Sequence, residues 1–377
     1  MAIRTSSILM LGSLLVLFPI AAPGYQWPVF RFDQQHLITG TVGETRISSL
    51  HGGVDIGEGM GTYVYAVIDG SVVQLDSTGI SSFVKVLHVS YVPYWYVYHD
   101  YVHIEHPVVR VGDHVDAGAA LGRINNQSHL HFEQDNGFAN PLFWLTPFTD
   151  LGVPVIEEVS VVKDGSGDPF PTDEFGRPKV SGWVDIKAKA YDPRVNINGS
   201  SGGRGIGVYK VGYEIRDQYG WSVESKPDKY HFDTISGHSV SWIYDPASTY
   251  YPVNFIYWVT NNANSDGAWS TFGLPKGVYT AKVIMEDITG GRGEKEIEVV
   301  VPTTTGICIT DGSVAGGAQR DTIKWTGCDE VGYGYDIYRS DDCWARGTLL
   351  RSISKWDTLY SRDQEHFEPP RFLRRLC

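Results

Sequence analysis

A chain of 377 residues is long enough for two or three domains. Its formal net charge of −13 excludes the broad basic footprint that nucleic-acid binding needs, and it offers no attraction to an anionic membrane. Aromatic residues at 13% and 42 glycines point to a β-rich architecture with many turns.

The N-terminus reads MAIRTSSILMLGSLLVLFPIAAPG, with Arg4 as its only charge and an apolar run from Ile8 to Ile20. Small residues follow at Ala21, Ala22 and Gly24. This is the form of a signal peptide over residues 1–24, removed on export, with no membrane span left after cleavage. An uncleaved anchor is the alternative, but the run is short of the roughly 20 apolar residues a span needs.

Residues 25–150 carry short β-like runs. TYVYAVIDGSVVQL, from Thr62 to Leu75, reads as two strands split by an Asp69-Gly70 hairpin turn. FVKVLHVS, YWYVYHDYVHI and VRVGDHVDAGAALGRI continue the pattern, with no long amphipathic helix, so a compact all-β domain is expected. In residues 151–302, WVDIKAKAYD, VYKVGYEI, YTAKVIMEDI and EKEIEVVVP are strands between turn clusters. They predict an immunoglobulin-like β-sandwich. Asn198-Gly199-Ser200 fits a glycosylation acceptor, a pattern that often arises by chance. PTTTG reads as a linker, and TIKWTGCDEVGYGYDIYRSDD resembles fibronectin type III core strands. Such a domain needs roughly 90 to 100 residues, so residues 303–377 are read as a partial module with a disordered tail. Cys308, Cys328, Cys343 and Cys377 all lie there without a C-x-x-C pair. Cys308–Cys328 and Cys328–Cys343 are both open as disulfides.

The chemistry gathers in the first domain. In SHLHFEQ, a strand puts His129 and His131 on one face and Leu130 and Phe132 on the other. A pair of surface histidines on a hairpin is the plainer alternative. In LHGGVDIG, His51 and Asp55 stand four apart, and Gly52-Gly53 disfavours a helix, so a loop entering a strand is expected. Imidazole and carboxylate are both zinc ligands. His51, Asp55 and one of the later pair would make three, leaving a fourth position for water.

These motifs carry a resemblance. H-x-x-x-D, then Y-x-H, then H-x-H is the pattern of the lysostaphin/LytM-like zinc endopeptidases. Here it is His51 and Asp55, then Tyr101 and His103, then His129 and His131. GTYVYAVIDGSVV, VRVGDHVDAGAALG and NPLFWL frame the motifs as in that family, over about residues 27–150. The resemblance implies a β-barrel built from a duplicated hybrid motif. It implies one Zn2+ ion held by His51, Asp55 and His131, with His103 and His129 as the catalytic pair. It leaves open which of that pair takes which step. His99 and His106 read as surface or supporting residues, Tyr101 as a possible outward strand aromatic, and Glu133 as solvated. His88, His114, His231 and His238 have no partner at ligand spacing. VGD-x-V-x-x-G also resembles lipoyl and biotinyl carrier hairpins, but Asp116-Ala117-Gly118 offers no lysine to modify. One departure from the family is the loop INNQSHLH, which is brief and lacks glycine, and it bears on substrate preference.

The expected function is an exported zinc metalloendopeptidase, periplasmic, cell-surface or extracellular. Its implied substrate is the peptide cross-link of peptidoglycan. The β modules would bind cell wall or surface polymer, or act as spacers. The alternatives are a non-catalytic member that binds wall or activates another hydrolase, and a peptidase acting on protein.

Overall fold

The computed structural model describes residues 24–91, 94–193, 205–262 and 267–302, and the backbone of five short strands beyond them. The protein is almost wholly β-structure, and its one α-helix among the described residues is the single turn Val240–Ile243. No helix among those residues is long and apolar enough to cross a membrane.

The first unit uses ten strands. They are β1 (Ile38–Gly40), β2 (Val54–Ile56), β3 (Tyr63–Tyr65), β4 (Gly70–Asp76), β5 (Phe83–Tyr91), β6 (Tyr94–Val102), β7 (Ile104–Glu105), β8 (His114–Val115), β9 (Ala120–Ile124) and β10 (Leu130–Gln134). A seven-stranded sheet runs β1-β2-β10-β6-β5-β4-β8, and a three-stranded sheet runs β3-β9-β7. Alternation builds the shared core. Leu130 and Phe132 of β10 are fully buried, as are Val54 and Ile56 of β2, Val84 and Val86 of β5 and Tyr101 of β6.

The Asp69-Gly70 hairpin expectation is overturned. β3 pairs with β9, whereas β4 pairs with β5 and β8, so the segment between β3 and β4 carries the chain from one sheet to the other. The turn chemistry is local, but each strand finds its partner far away in sequence.

The second unit has ten strands. They are β11 (Val155–Lys163), β12 (Trp183–Tyr191), β13 (Lys210–Arg216), β14 (Ser222–His231), β15 (Thr249–Tyr250), β16 (Val253–Asn254), β17 (Ile256–Trp258), β18 (Trp269–Ser270), β19 (Gly277–Glu286) and β20 (Arg292–Val301). One antiparallel sheet joins β11, β12, β17 and β18, and the other runs β14-β13-β19-β20. Val184, Ile186, Val211, Tyr213, Ala281 and Val283 from the two sheets are buried in a single core. Beyond residue 302 the strands Ile309–Asp311, Arg320–Trp325 and Leu359–Asp363 form one sheet, and Tyr335–Arg339 pairs with Thr348–Ile353. Residues 1–23 of the expected signal peptide, the four cysteines, the glycosylation motif and the tail from His366 lie outside the described residues.

The two units meet along a polar seam. Gly207 N donates to Glu44 Oε1 at 2.8 Å, and Tyr244 Oη donates to the Gly43 carbonyl at 3.0 Å. Asn140 Nδ2 donates to the Phe232 carbonyl at 3.0 Å. Glu44 is itself buried, so the seam reaches the loop that carries His51.

Candidate metal centre

The site begins with strand register. β10 lies between β2 and β6, and His131 stands directly opposite Asp55 on one side and Val102 on the other. Asp55 and His131, 76 positions apart, are therefore cross-strand neighbours with side chains on one face. His51 enters from the loop before β2. Its amide donates to the Glu44 carbonyl at 2.8 Å, and its carbonyl accepts from Gly43 N at 2.9 Å.

Three ligand atoms converge. His51 Nε2 lies 3.0 Å from Asp55 Oδ1 and 2.8 Å from His131 Nδ1, and His131 Nδ1 lies 2.9 Å from Asp55 Oδ1. Each ring is oriented by its other nitrogen. His51 Nδ1 donates to the Thr41 carbonyl at 2.8 Å, and His131 Nε2 donates to Glu133 Oε1 at 2.7 Å. Those bonds turn the second nitrogen of each ring inward, so two imidazole nitrogens and a carboxylate oxygen face one another. Three acceptors at such range repel unless a cation lies among them. In a tetrahedral zinc shell with bonds of about 2.0 to 2.1 Å, neighbouring ligands stand about 3.3 Å apart. The triangle is slightly tighter, as a shared proton would make it, and the donor set of two imidazoles and one carboxylate fits zinc. Two-layer orientation of this kind is usual for metal-binding histidines.

The charges agree. Burial pushes the Asp55 carboxyl up, but the adjoining His51 and His131 rings prevail and hold it well below the usual range. Burial likewise disfavours a charged His131, yet Asp55 and Glu133 raise it to about 9. The two carboxylates thus favour a positive charge beside them, as a metal ion would supply. The second oxygen of Asp55, Oδ2, accepts from Arg46 Nη2 at 3.0 Å, and Arg46 Nη1 donates to Glu44 Oε2 at 2.8 Å.

His103 and His129 flank the triangle. Their ring centroids are 4.6 Å apart, and His103 is 6.2 Å from the His131 ring. His129 Nε2 lies 3.7 Å from Asp55 Oδ1. His103 Nδ1 donates to the Ile80 carbonyl at 2.5 Å, and His129 Nδ1 donates to the Gln127 carbonyl at 2.9 Å. With Nδ1 as the donor, Nε2 is the acceptor nitrogen of each ring. His103 has left-handed backbone, φ +69, which costs a non-glycine residue about 1–3 kcal/mol. Asn125 supports that conformation. Its amide donates to the His103 carbonyl at 2.8 Å, and its Nδ2 donates to the Ile80 carbonyl at 3.1 Å.

The remaining readings sort as follows. Tyr101 does not face outward; it is fully buried and accepts from Val67 N at 2.9 Å. Glu133 is not merely solvated, because it orients His131. His106 is exposed, whereas His99 is buried and supports the fold. His88 packs on His99 with ring centroids 4.8 Å apart. Thr41, Glu44, Arg46 and Asn125 escaped sequence reasoning. Only Glu133 had a signal, its alternation with His131.

Comparison with known families matches residues 49–141 to peptidase family M23. No curated protein matches the chain. Similar solved structures include a putative peptidase M23 from Pseudomonas aeruginosa, with 18% identity over 34% of this chain and 53% of that one and a TM-score of 0.25. A zinc-containing peptidase from Vibrio cholerae shares 21% identity over 29% of this chain and 36% of that one, with a TM-score of 0.25. Lysostaphin shares 16% over 66% and 99%, with a TM-score of 0.26. This chain therefore spans about half or less of the first two. The match to the peptidase family M23 model contains all five residues of the cluster and its flanks.

Proposed function

We propose that residues 25–150 form a zinc metalloendopeptidase domain that hydrolyses peptide cross-links of peptidoglycan after export of the chain. The observation that carries this reading is the convergence of His51 Nε2, Asp55 Oδ1 and His131 Nδ1 to within 3.0 Å of one another. Those three atoms would hold one zinc ion. When bound, zinc lowers the pKa of water toward about 7 and polarises a carbonyl.

The other two histidines supply proton handling. With Nδ1 tied to a backbone carbonyl, the Nε2 of His103 or His129 can accept a proton from an attacking water. The ring that takes the proton becomes an N–H donor. It can then stabilise the oxyanion and return the proton to the leaving amine. Burial, then the neighbouring His129 and His131, hold the His103 pKa below the ordinary histidine value, which favours its neutral, proton-accepting form. The segment 1–24 would direct export, the unit 151–302 would be an immunoglobulin-like module, and 303–377 a partial fibronectin type III-like module. These modules would position the peptidase on wall or surface polymer.

The test pairs zinc content with digestion. Purified chain should carry about one zinc, lost in His51→Ala. It should release peptide fragments from purified wall only without chelator, with the new termini read by mass spectrometry. Fragments released in chelator would defeat the mechanism. Metal-free protein that binds wall without cutting it would favour the non-catalytic alternative.

A further inference from the structure

A second cluster lies away from the histidines, at the seam between the two units. One carboxylate oxygen from each of Asp150, Asp192 and Asp287 lies within 4.8 Å of the others. Asp192 is 3% exposed and Asp287 is 1% exposed, and Asp192 Oδ1 and Asp287 Oδ2 have no hydrogen-bond partner. The donors sit on other oxygens. Asp287 Oδ1 accepts from Thr289 N and Oγ1, both at 2.7 Å, and from Gly291 N at 3.0 Å. Asp150 Oδ1 accepts from Gly152 N at 2.8 Å. A Cβ at Gly291 would collide with Asp287 Oδ2 and stand 2.8 Å from the Gly152 carbonyl oxygen, so both oxygens border the space over Gly291.

Buried acceptors are nearly always paired, so bare ones in a like-charged group require a reason. Among the described residues no basic group offsets them. Burial, then Asp150 and Asp287, raise Asp192 to about 8, and burial followed by Asp287 raises Asp150. A hard cation would relieve both the repulsion and the missing partners. Calcium takes carboxylates, backbone carbonyls and water at about 2.3–2.6 Å, so oxygens on opposite sides of its shell lie about 5 Å apart. Zinc prefers nitrogen and sulfur, and magnesium sheds its water reluctantly.

We propose that Asp150, Asp192 and Asp287 form a calcium site that clamps the sandwich onto the peptidase domain. The cleft beside it is lined by Gln35, Thr41 and Asn140 from the peptidase domain and by Asp192, Gly207 and Tyr209 from the sandwich. Thr41, which lines that cleft, also holds His51 through its carbonyl.

The experiment uses the full chain, stripped by chelator, reloaded with zinc and titrated with calcium chloride. One calcium should bind per chain by calorimetry, and the melting temperature should rise by about 5 °C at calcium a hundredfold over Kd. Asp192→Asn and Asp287→Asn should weaken uptake at least tenfold, and His51→Ala should retain it. In chelator Asp192→Asn should melt at or above the parent, because it removes an unpartnered buried carboxyl crowded by two like groups. A merely structural carboxylate would lower the melting temperature with or without calcium. The proposal falls if the zinc-loaded chain takes up no calcium, if Asp192→Asn binds it undiminished, or if His51→Ala abolishes uptake.

Discussion

Arg46 is the point at which the seam between the units touches the proposed zinc ligands. Replacing it with methionine has two opposed effects. It removes a cation beside a dication, which would tighten zinc binding. It also frees the Asp55 carboxylate, which would loosen it. A unit charge at about 4 Å is worth about 4 kcal/mol at an effective dielectric of 20. However, Glu44 sits 2.8 Å from Arg46, nearer than Asp55 at 3.0 Å, so the metal would meet a dipole rather than a bare charge. Repulsion is mostly cancelled and orientation decides the sign. Losing an outer partner of a ligand typically costs 10- to 100-fold in metal affinity, or about 1.4–2.7 kcal/mol. Arg46→Met should therefore weaken zinc binding by that factor in competition with a chromophoric chelator. It should also lower the melting temperature in chelator, because the buried Glu44 loses its cation; Arg46 is 21% exposed, so this cost lies below the 3–5 kcal/mol of a fully buried pair. Arg46→Lys should fall between, since one ammonium cannot reach both carboxylates as the guanidinium fork does. Glu44→Gln should weaken zinc comparably, by leaving Arg46 uncompensated. If Arg46→Met bound zinc as tightly as the parent or more so, repulsion would outweigh orientation and the reasoning would fail.

Three further outcomes are expected. Asp55→Ala and His131→Ala should lose zinc, whereas His103→Ala and His129→Ala should keep it and lose about 10²- to 10⁴-fold in turnover of wall peptides; loss of zinc in His129→Ala would reassign that ring to the metal. Burial lowers His88 to about 4, so its neutral form contributes stability that is present above the unfolded value of about 6.5 and is lost as pH falls toward 4. That window is worth about 3 kcal/mol. His99 shifts in the same direction, through burial and then His88, which outweigh the opposing effect of Gln134. His99→Phe should accordingly flatten the fall in urea midpoint between pH 7 and pH 5 without loss at pH 7, and an unchanged slope would count against burial as the cause. A Cβ at Gly53 would lie 2.5 Å from the Phe132 carbonyl oxygen, and backbone there cannot yield without opening the β2–β10 pairing. Gly53→Ala should lose melting temperature and zinc together, whereas Gly59→Ala, with nothing within 4 Å, should match the parent in both.

Much of the centre was legible because its chemistry resides in residue type. Two histidines alternating with Leu130 and Phe132 announce a shared face, and the structure buries those two apolar residues and pairs His131 with Asp55. What was not legible depends on contacts made at long range. Asp69-Gly70 satisfies a local turn rule, yet β3 binds β9, whose sequence carries no mark of that choice. His88 and His99 look like polar punctuation in aromatic strands. Only the stacking of Phe132 on His99 and the edge of Tyr25 against it reveal them as core.

The same contrast governs how the centre is supported. Glu44 and Arg46 form no motif, and the amide that fixes Glu44 belongs to Gly207, 163 residues onward in the second unit. A zinc ligand must be one of a few residue types, so it can be picked out from the letters. An orienting partner needs only an amide or a carbonyl at the right place, which any residue can provide. A sandwich replaced by a different module would therefore leave the four histidines and the aspartate of the centre intact in sequence, yet remove the anchor of the loop that aims His51 and Asp55.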